Sequence, residues 1–299
     1  MREVGVKPEP TILVTGVNGQ VGFELLRSLQ GLGRVVACDR SMLDLSDLER
    51  VRGVVRALKP SIIVNPAAYT AVDKAETDVD AARRLNAEVP RVFAEEAART
   101  GAALVHYSTD YVFDGTKEGA YVETDATNPQ NVYGLTKLEG EQAVAATGCA
   151  HLILRTSWVY GRRGKNFLLT MLKLGSERPE LRVVADQIGA PTWSKTIATA
   201  TSHIVAQALA ADGSDWWARH SGVYHFTSAG ATSWHGFAEA IFANAMGERA
   251  PKVVPIPASD YPVPAKRPSN SRLSHDKLTA AFGLRLPDWA DALKLCLSE

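Results

Sequence analysis

Tyr133 and Lys137 stand four residues apart in "NVYGLTKLEGEQAVA". On a helix that spacing sets both side chains on one face, a turn apart. A phenol alone is a poor acid–base group at neutral pH, its reference pKa being about 10. A nearby ammonium favours the phenolate and lowers that value, so the pair reads as a proton-transfer unit. The spacing by itself is a common accident; its weight comes from what surrounds it. In "HYSTDYVFDG" the apolar run Ala103-Leu104-Val105 opens into Ser108, Thr109, Asp110 and Tyr111. A strand ending in hydroxyls and a carboxylate can deliver polar groups to a reacting ligand. Thr109 or Ser108 would bond a substrate oxygen while Tyr133 transfers a proton and Lys137 tunes it. Capping the strand end is the rival use of the same hydroxyls.

A second constellation lies near the start of the chain. "TILVTGVNGQVGFELL" places Gly16, Gly19 and Gly22 between a strand and a helix, in the spacing GxxGxxG. Such glycines permit a tight turn and close backbone approach, so that a pyrophosphate can sit at the helix N-terminus. The strand before and the helix after supply the confirming context. Asp39 ends the next strand, where a carboxylate accepts hydrogen bonds from ribose hydroxyls and repels a 2′-phosphate. Arg40 follows and could pair with that phosphate instead. A nicotinamide dinucleotide is expected, as NADPH or NADH. Asp44 and Leu45 stand near the expected adenine, and Asp44 could equally start a helix. Lys137 could also bond the nicotinamide ribose.

The elements that must position these residues follow from hydrophobic period. "TILVTG", "RVVACD", "SIIVNPAA", "AALVHYS" and "HLILRTS" are strands, alternating with helical patterns such as "DLERVRGVVRAL". That alternation predicts an α/β fold, a Rossmann-type doubly wound parallel sheet with a smaller C-terminal substrate-binding region. The expected division is a dinucleotide-binding domain over 1–157 and a mainly substrate-binding region over 158–299. The helix near 194–211 is expected to pack back on the first domain. Past residue 156 the chain turns rich in Gly, Pro and polar residues. "YPVPAKRP" there is a rigid loop expected to lie over the substrate cleft. Ser233 is an N-cap candidate; Trp234 and Phe237 read as packing residues, and His225 and His235 receive no chemistry.

With 299 residues, 45% of them hydrophobic, a large core is available. The formal net charge of zero gives no electrostatic argument for nucleic acid or an anionic membrane. Cys38, Cys149 and Cys296 are too dispersed for a metal site or disulfide framework, and a reducing cytoplasm is expected. "MREVGVKPEP" lacks the apolar run of a signal peptide and reads as an extension.

Taken together, these residues resemble the extended short-chain dehydrogenase/reductase superfamily, and within it the dTDP-4-dehydrorhamnose reductase family. The narrower resemblance rests on "NPAAYTAVDKAE", "HYSTDYVFDG", "ETDATNPQNVYGLTKLEGE", "LRTSWVYG", "DQIGAPT" and "RPSNSRL", and runs from Thr11 to about Trp289. It implies a catalytic trio of Thr109, Tyr133 and Lys137. Val17, Asn18, Gly19, Gln20 and Val21 would line the pyrophosphate loop, and Asp39, Asp44 and Leu45 would surround the adenosine. Ala67, Ala68 and Tyr69 would pass along the cofactor. Thr109, Asp110 and Trp158 would meet a deoxysugar, although Trp158 could equally be a core aromatic. Asn166, Arg267 and Arg272 are candidates for the substrate's pyrophosphate, a role that suits arginine.

The implied reaction is reduction of a nucleotide sugar at its C4 ketone, with a possible homodimer as the assembly. Some relatives link that dimer through magnesium, using an acid just after "GAPT". This chain has "WSKT" there, with Lys195, so a metal-bridged dimer is not supported. A dehydratase of the superfamily would carry Thr-Asp-Glu at the strand end, where this chain has Tyr111. An epimerase or other reductase of the superfamily and a non-catalytic, dinucleotide-binding regulatory subunit remain as alternatives.

Overall fold

The computed structural model describes residues 9–211 and 214–299. The expected N-terminal extension lies outside them except for Glu9 and Pro10. The first half runs β1 (Thr11–Val14), α1 (Gln20–Ser28), β2 (Arg34–Ala37), α2 (Leu48–Leu58), β3 (Ile62–Asn65), α3 (Val72–Ala75) and α4 (Val79–Arg83). A π-helical turn, Arg84–Glu88, leads into α5 (Val89–Thr100), β4 (Ala103–Thr109), α6 (Val132–Ala146) and β5 (Ala150–Thr156). The second half contributes β6 (Val159–Tyr160), α7 (Phe167–Glu177), β7 (Glu180–Val184), β8 (Ile188–Gly189), β9 (Thr192–Trp193), α8 (Ser194–Ala210), α9 (Ser214–His220) and β10 (Gly222–His225). It closes with β11 (Thr232–Ser233), α10 (Trp234–Ala245), β12 (Lys252–Ile256), α11 (Asp276–Phe282) and α12 (Trp289–Ser298).

The main sheet has the order β10-β5-β4-β3-β1-β2. Every pair in it is parallel. A sheet buried on both faces needs apolar residues at successive positions, and β1 shows how they divide. Ile12 and Val14 face a core shared with Leu25 of α1 and Ile197, Ile204 and Val205 of α8. Leu13 faces the opposite core with Val51 and Val55 of α2 and Phe93 of α5. The chain leaves β1 toward β2 on one side and returns to β3 on the other. Ligands of open α/β sheets bind at such a reversal, beyond the C-terminal strand ends.

Residue 157 is no boundary for this sheet. Its sixth strand, β10, and the covering helices α8 and α11 all come from later in the chain. A third core, with Tyr160, Leu181, Phe237, Ile241 and Leu293, joins α7, α10, α12 and the parallel pair β7–β12. No helix among the described residues is long and apolar enough to cross a membrane.

Candidate active site

The glycine loop lies at the β1/β3 reversal. Gly16 has φ +57°, in the left-handed region, and a Cβ there would stand 3.0 Å from the Ala67 backbone. A Cβ on Gly22 would meet the Gly16 carbonyl at 2.2 Å, which is why the turn and α1 can lie so close. Gly19 caps α1 with no side-chain bond, leaving the first-turn N–H groups to an anion. Val17 joins the sheet core and Val21 packs against it. Asn18 is exposed, whereas Gln20 reaches across to the second half through Val159 and Asn166. These features fit a dinucleotide pyrophosphate.

At the end of β2, Asp39 folds one carboxylate oxygen back on its own chain. Oδ1 accepts from the Ser41 N–H at 2.9 Å and the Ser41 hydroxyl at 2.6 Å. These bonds, the hydroxyl's first, hold Asp39 below the usual carboxylate range. Arg40 is exposed beside it. Asp44 makes a similar turn with Ser46. The residue that starts α2 is Asp47, which accepts from the Arg50 N–H. Leu45 packs against the second core.

Ala67, Ala68 and Tyr69 run from the end of β3 past the loop. Buried Asn86, in the π-helical turn, accepts from the Tyr69 N–H at 2.8 Å and donates to its carbonyl at 3.2 Å and to Thr136 of α6 at 3.1 Å. The Tyr69 phenol donates to Asp78. Asn86 went unnoticed in the sequence; a π-turn, often found at functional sites, was its only local mark.

Helix α6 starts at Asn131, whose side chain accepts from the Gly134 N–H at 2.7 Å. A Cβ on Gly134 would lie 2.2 Å from the Tyr111 carbonyl, so glycine lets the helix press against the strand-end turn. Tyr111 and Tyr133 meet edge to face at 5.6 Å. Thr109 donates to Asp110 Oδ1 at 3.0 Å and accepts from the Tyr111 N–H at 3.2 Å, so it also caps the turn. Ser108 is buried with its hydroxyl unpartnered, as is Asp110 Oδ2. Burial pushes Asp110 up to about 6, against the hydrogen bond from Thr109.

The expected tuning of Tyr133 by Lys137 is corrected here. The Tyr133 phenol is held above its ordinary value, first by burial and then by Asp110, while the Thr109 hydroxyl pulls the other way. The Lys137 amine instead donates to the Tyr107 carbonyl at 2.6 Å and stands 3.3 Å from His106 Nε2. Helical spacing sets a face, not a partner, and a strand carbonyl is nearer. Burial brings Lys137 down to about 8. Behind it runs a buried chain the sequence reading missed. His106 Nδ1 meets Asn65 at 3.2 Å, and Asn65 accepts from Thr15 at 2.6 Å.

A cavity of about 700 Å³ is walled by second-half residues, among them Phe167, Met171, Arg182, Trp234, Tyr261 and Arg267, and by none of Thr109, Asp110, Tyr133 and Lys137. Trp234, read as a packing residue, is thus a cavity wall as well. It stacks on Trp158 with centroids 3.5 Å apart. Trp158 itself has φ +49°, in the left-handed region that bulky residues rarely adopt. Arg267 joins cavity and cluster, donating to the Tyr111 hydroxyl at 3.0 Å and to Asp73 at 2.7 Å. The other two candidates for the substrate's pyrophosphate, Asn166 and Arg272, do not line that cavity. Asn166 caps α7 and donates to Gln20, Gly161 and Arg163, which occupies its amide. Arg272 turns onto Asn270 at 2.8 Å. Lys195 ion-pairs with Glu299. Among the described residues no three His, Cys, Asp or Glu side chains gather as a metal site would require.

The family model described as "RmlD substrate binding domain" matches residues 10–299. A dTDP-4-dehydrorhamnose reductase of Burkholderia thailandensis is 54% identical over 294 residues, 96% of this chain and 98% of the relative. That of Escherichia coli K12 is 44% identical over 296 residues, 96% of this chain and 97% of the relative. The solved structure of the Bacillus anthracis reductase, in complex with NADP, superposes with a TM-score of 0.89 at 35% identity, covering 97% of this chain and 99% of that one. A Thermus thermophilus UDP-glucose 4-epimerase, 20% identical with a TM-score of 0.78, shares the fold. By sequence and by structure, the chain belongs to the dTDP-4-dehydrorhamnose reductase family.

Proposed function

We propose that this chain reduces the C4 ketone of dTDP-4-dehydro-β-L-rhamnose to dTDP-β-L-rhamnose, the last step of dTDP-L-rhamnose biosynthesis. The observation that carries this reading is the strand-end turn of Thr109, Asp110 and Tyr111 with Tyr133 packed edge-on to it, joined through Arg267 to a cavity of nucleotide size. The cofactor would be NADPH, the Bacillus anthracis relative being solved in complex with NADP, or NADH. Gly16 to Gly22 and the first turn of α1 would hold its pyrophosphate, with Asp39 and Arg40 at the adenosine end and Lys137 at the nicotinamide ribose. When bound, it supplies the hydride.

The residues of the chain supply the rest. The Thr109 hydroxyl, which donates to Asp110 here, would turn to the ketone oxygen of bound substrate. Tyr133, a phenol protonated at neutral pH, would give its proton to the alkoxide that develops at C4. Trp158 and Trp234 offer apolar faces to the deoxysugar and its neighbour, and Arg267 offers a fork to a diphosphate. A proton donor together with a cavity arginine is what a nucleotide-linked ketose requires.

The test is loss of reduced-nicotinamide absorbance on adding dTDP-4-dehydrorhamnose. Stoichiometric oxidation supports the reductase, whereas an epimerase or a binding subunit would consume none. In Tyr133→Phe, turnover should fall about 10²–10⁴-fold with NADPH affinity retained. Normal turnover in that variant would end the assignment.

A further inference from the structure

Two acids of "NPAAYTAVDKAE", Asp73 and Glu76, take no part in the chemistry above, yet both reach it. Asp73 Oδ1 accepts from the Ala265 N–H at 3.2 Å, and Oδ2 accepts from Arg267 at 2.7 Å. One carboxylate therefore pins the proline-rich strap 261–268 by its backbone and orients the arginine that the strap sends to the cavity. Glu76, the C-cap of α3, accepts from the Val132 N–H at 2.8 Å, a first-turn group of the helix that carries Tyr133. That helix and the strap are tied directly as well. Asn131, the N-cap, donates to the Lys266 carbonyl at 2.7 Å, and Lys266 donates to Gln130 at 3.0 Å.

We propose that Asp73 and Glu76 are positioning residues for the reaction, fixing strap and helix α6 in one frame. In that frame Arg267 holds the Tyr111 hydroxyl, and the Tyr111 ring lies edge-on to Tyr133. The two acids thus set the distance between the arginine that grips the nucleotide end and the phenol that serves the sugar end. The inference rests on the roles given to Arg267 and Tyr133 above. An ordinary surface ion pair would contribute little. Here each acid accepts from a backbone N–H, and the elements joined lie far apart in the chain.

The test uses the full chain with NADPH and dTDP-4-dehydrorhamnose. Asp73→Ala should raise KM for the sugar nucleotide about tenfold, the loss expected for a charge-assisted bond. Asp73→Asn, with one oxygen acceptor left, should fall between that variant and the parent. Glu76→Ala should lower kcat about tenfold with KM little changed, and Glu76→Gln should recover it, since its carbonyl still accepts from Val132. NADPH affinity should be unchanged in all four. Parent-like kinetics in both alanine variants, or NADPH affinity falling in step with turnover, would overturn the proposal. Amide exchange across 261–268 separates the two readings. If the parent does not reduce the sugar, the functional reading fails. Faster exchange in Asp73→Ala or Asp73→Asn would then still support the anchor, and unchanged exchange would refute it.

Discussion

Asp110 sits in surroundings costly to a charge. Its side chain is 2% exposed, one oxygen takes the Thr109 hydroxyl, and the other has no partner. An ionised carboxylate so placed loses hydration that its neighbours only partly replace. Its folded pKa, about 6 against an ordinary 3.8, means that the folded state holds the proton more tightly than the unfolded one. Stability from this group is therefore full below about pH 4 and is lost as pH rises through 6. Asp110→Asn, which cannot ionise, should gain roughly 1–3 kcal/mol over the parent at pH 8, with little or no gain at pH 4. Thermal unfolding of both proteins across that range checks it. A difference independent of pH would show that Asp110 is not the strained ion.

At the level of elements, α6 is aimed by its first turn. Asn131 caps it, Glu76 takes the next free N–H, and Gly134 lets it touch the Tyr111 carbonyl. Gly134→Ala forces a methyl to within 2.2 Å of that carbonyl. Alanine favours helix, so propensity alone predicts stabilisation by roughly 1 kcal/mol. The collision should reverse the sign, with a net loss of about 1–3 kcal/mol and displaced Tyr133. Denaturant unfolding decides between the two, since a gain in midpoint would mean that the contact is slack. Features carried by local period were readable beforehand: the strands, the glycine turn, the Tyr133–Lys137 helix and the Ser233 cap. Asp73 and Asn86 were not, because their meaning lies in partners 192, 194 and 50 residues away. Lys137 shows the same limit at short range. Its face was predicted, but the strand carbonyl that captures it comes from 30 residues upstream. Trp234 deceived for another reason, since one indole can both pack on Phe167 and wall a cavity.

For the whole molecule, the question is whether the dinucleotide-binding half can exist alone, as a division at residue 157 would suggest. Strand β5 is an edge until β10 pairs with it in parallel through Leu152–Gly222 to Arg155–His225. A fragment ending there would bare that edge and invite association. The same cut removes Ile197, Ile204, Val205, Phe226, Leu278 and Phe282 from one face of the sheet, while the opposite face keeps α2, α5 and α6. Burying each such side chain contributes roughly 1.5–3 kcal/mol. Six of them match or exceed the roughly 5–15 kcal/mol by which domains are stable at all. Residues 1–157 should therefore aggregate or lack a cooperative melt, whereas the full chain should unfold with the sheet and its later-arriving helices together. Circular dichroism and light scattering on the fragment test this. A cooperative transition together with NADPH binding would show that the glycine-loop half needs nothing from α8, β10 or α11, and that the second half is an addition to a finished domain.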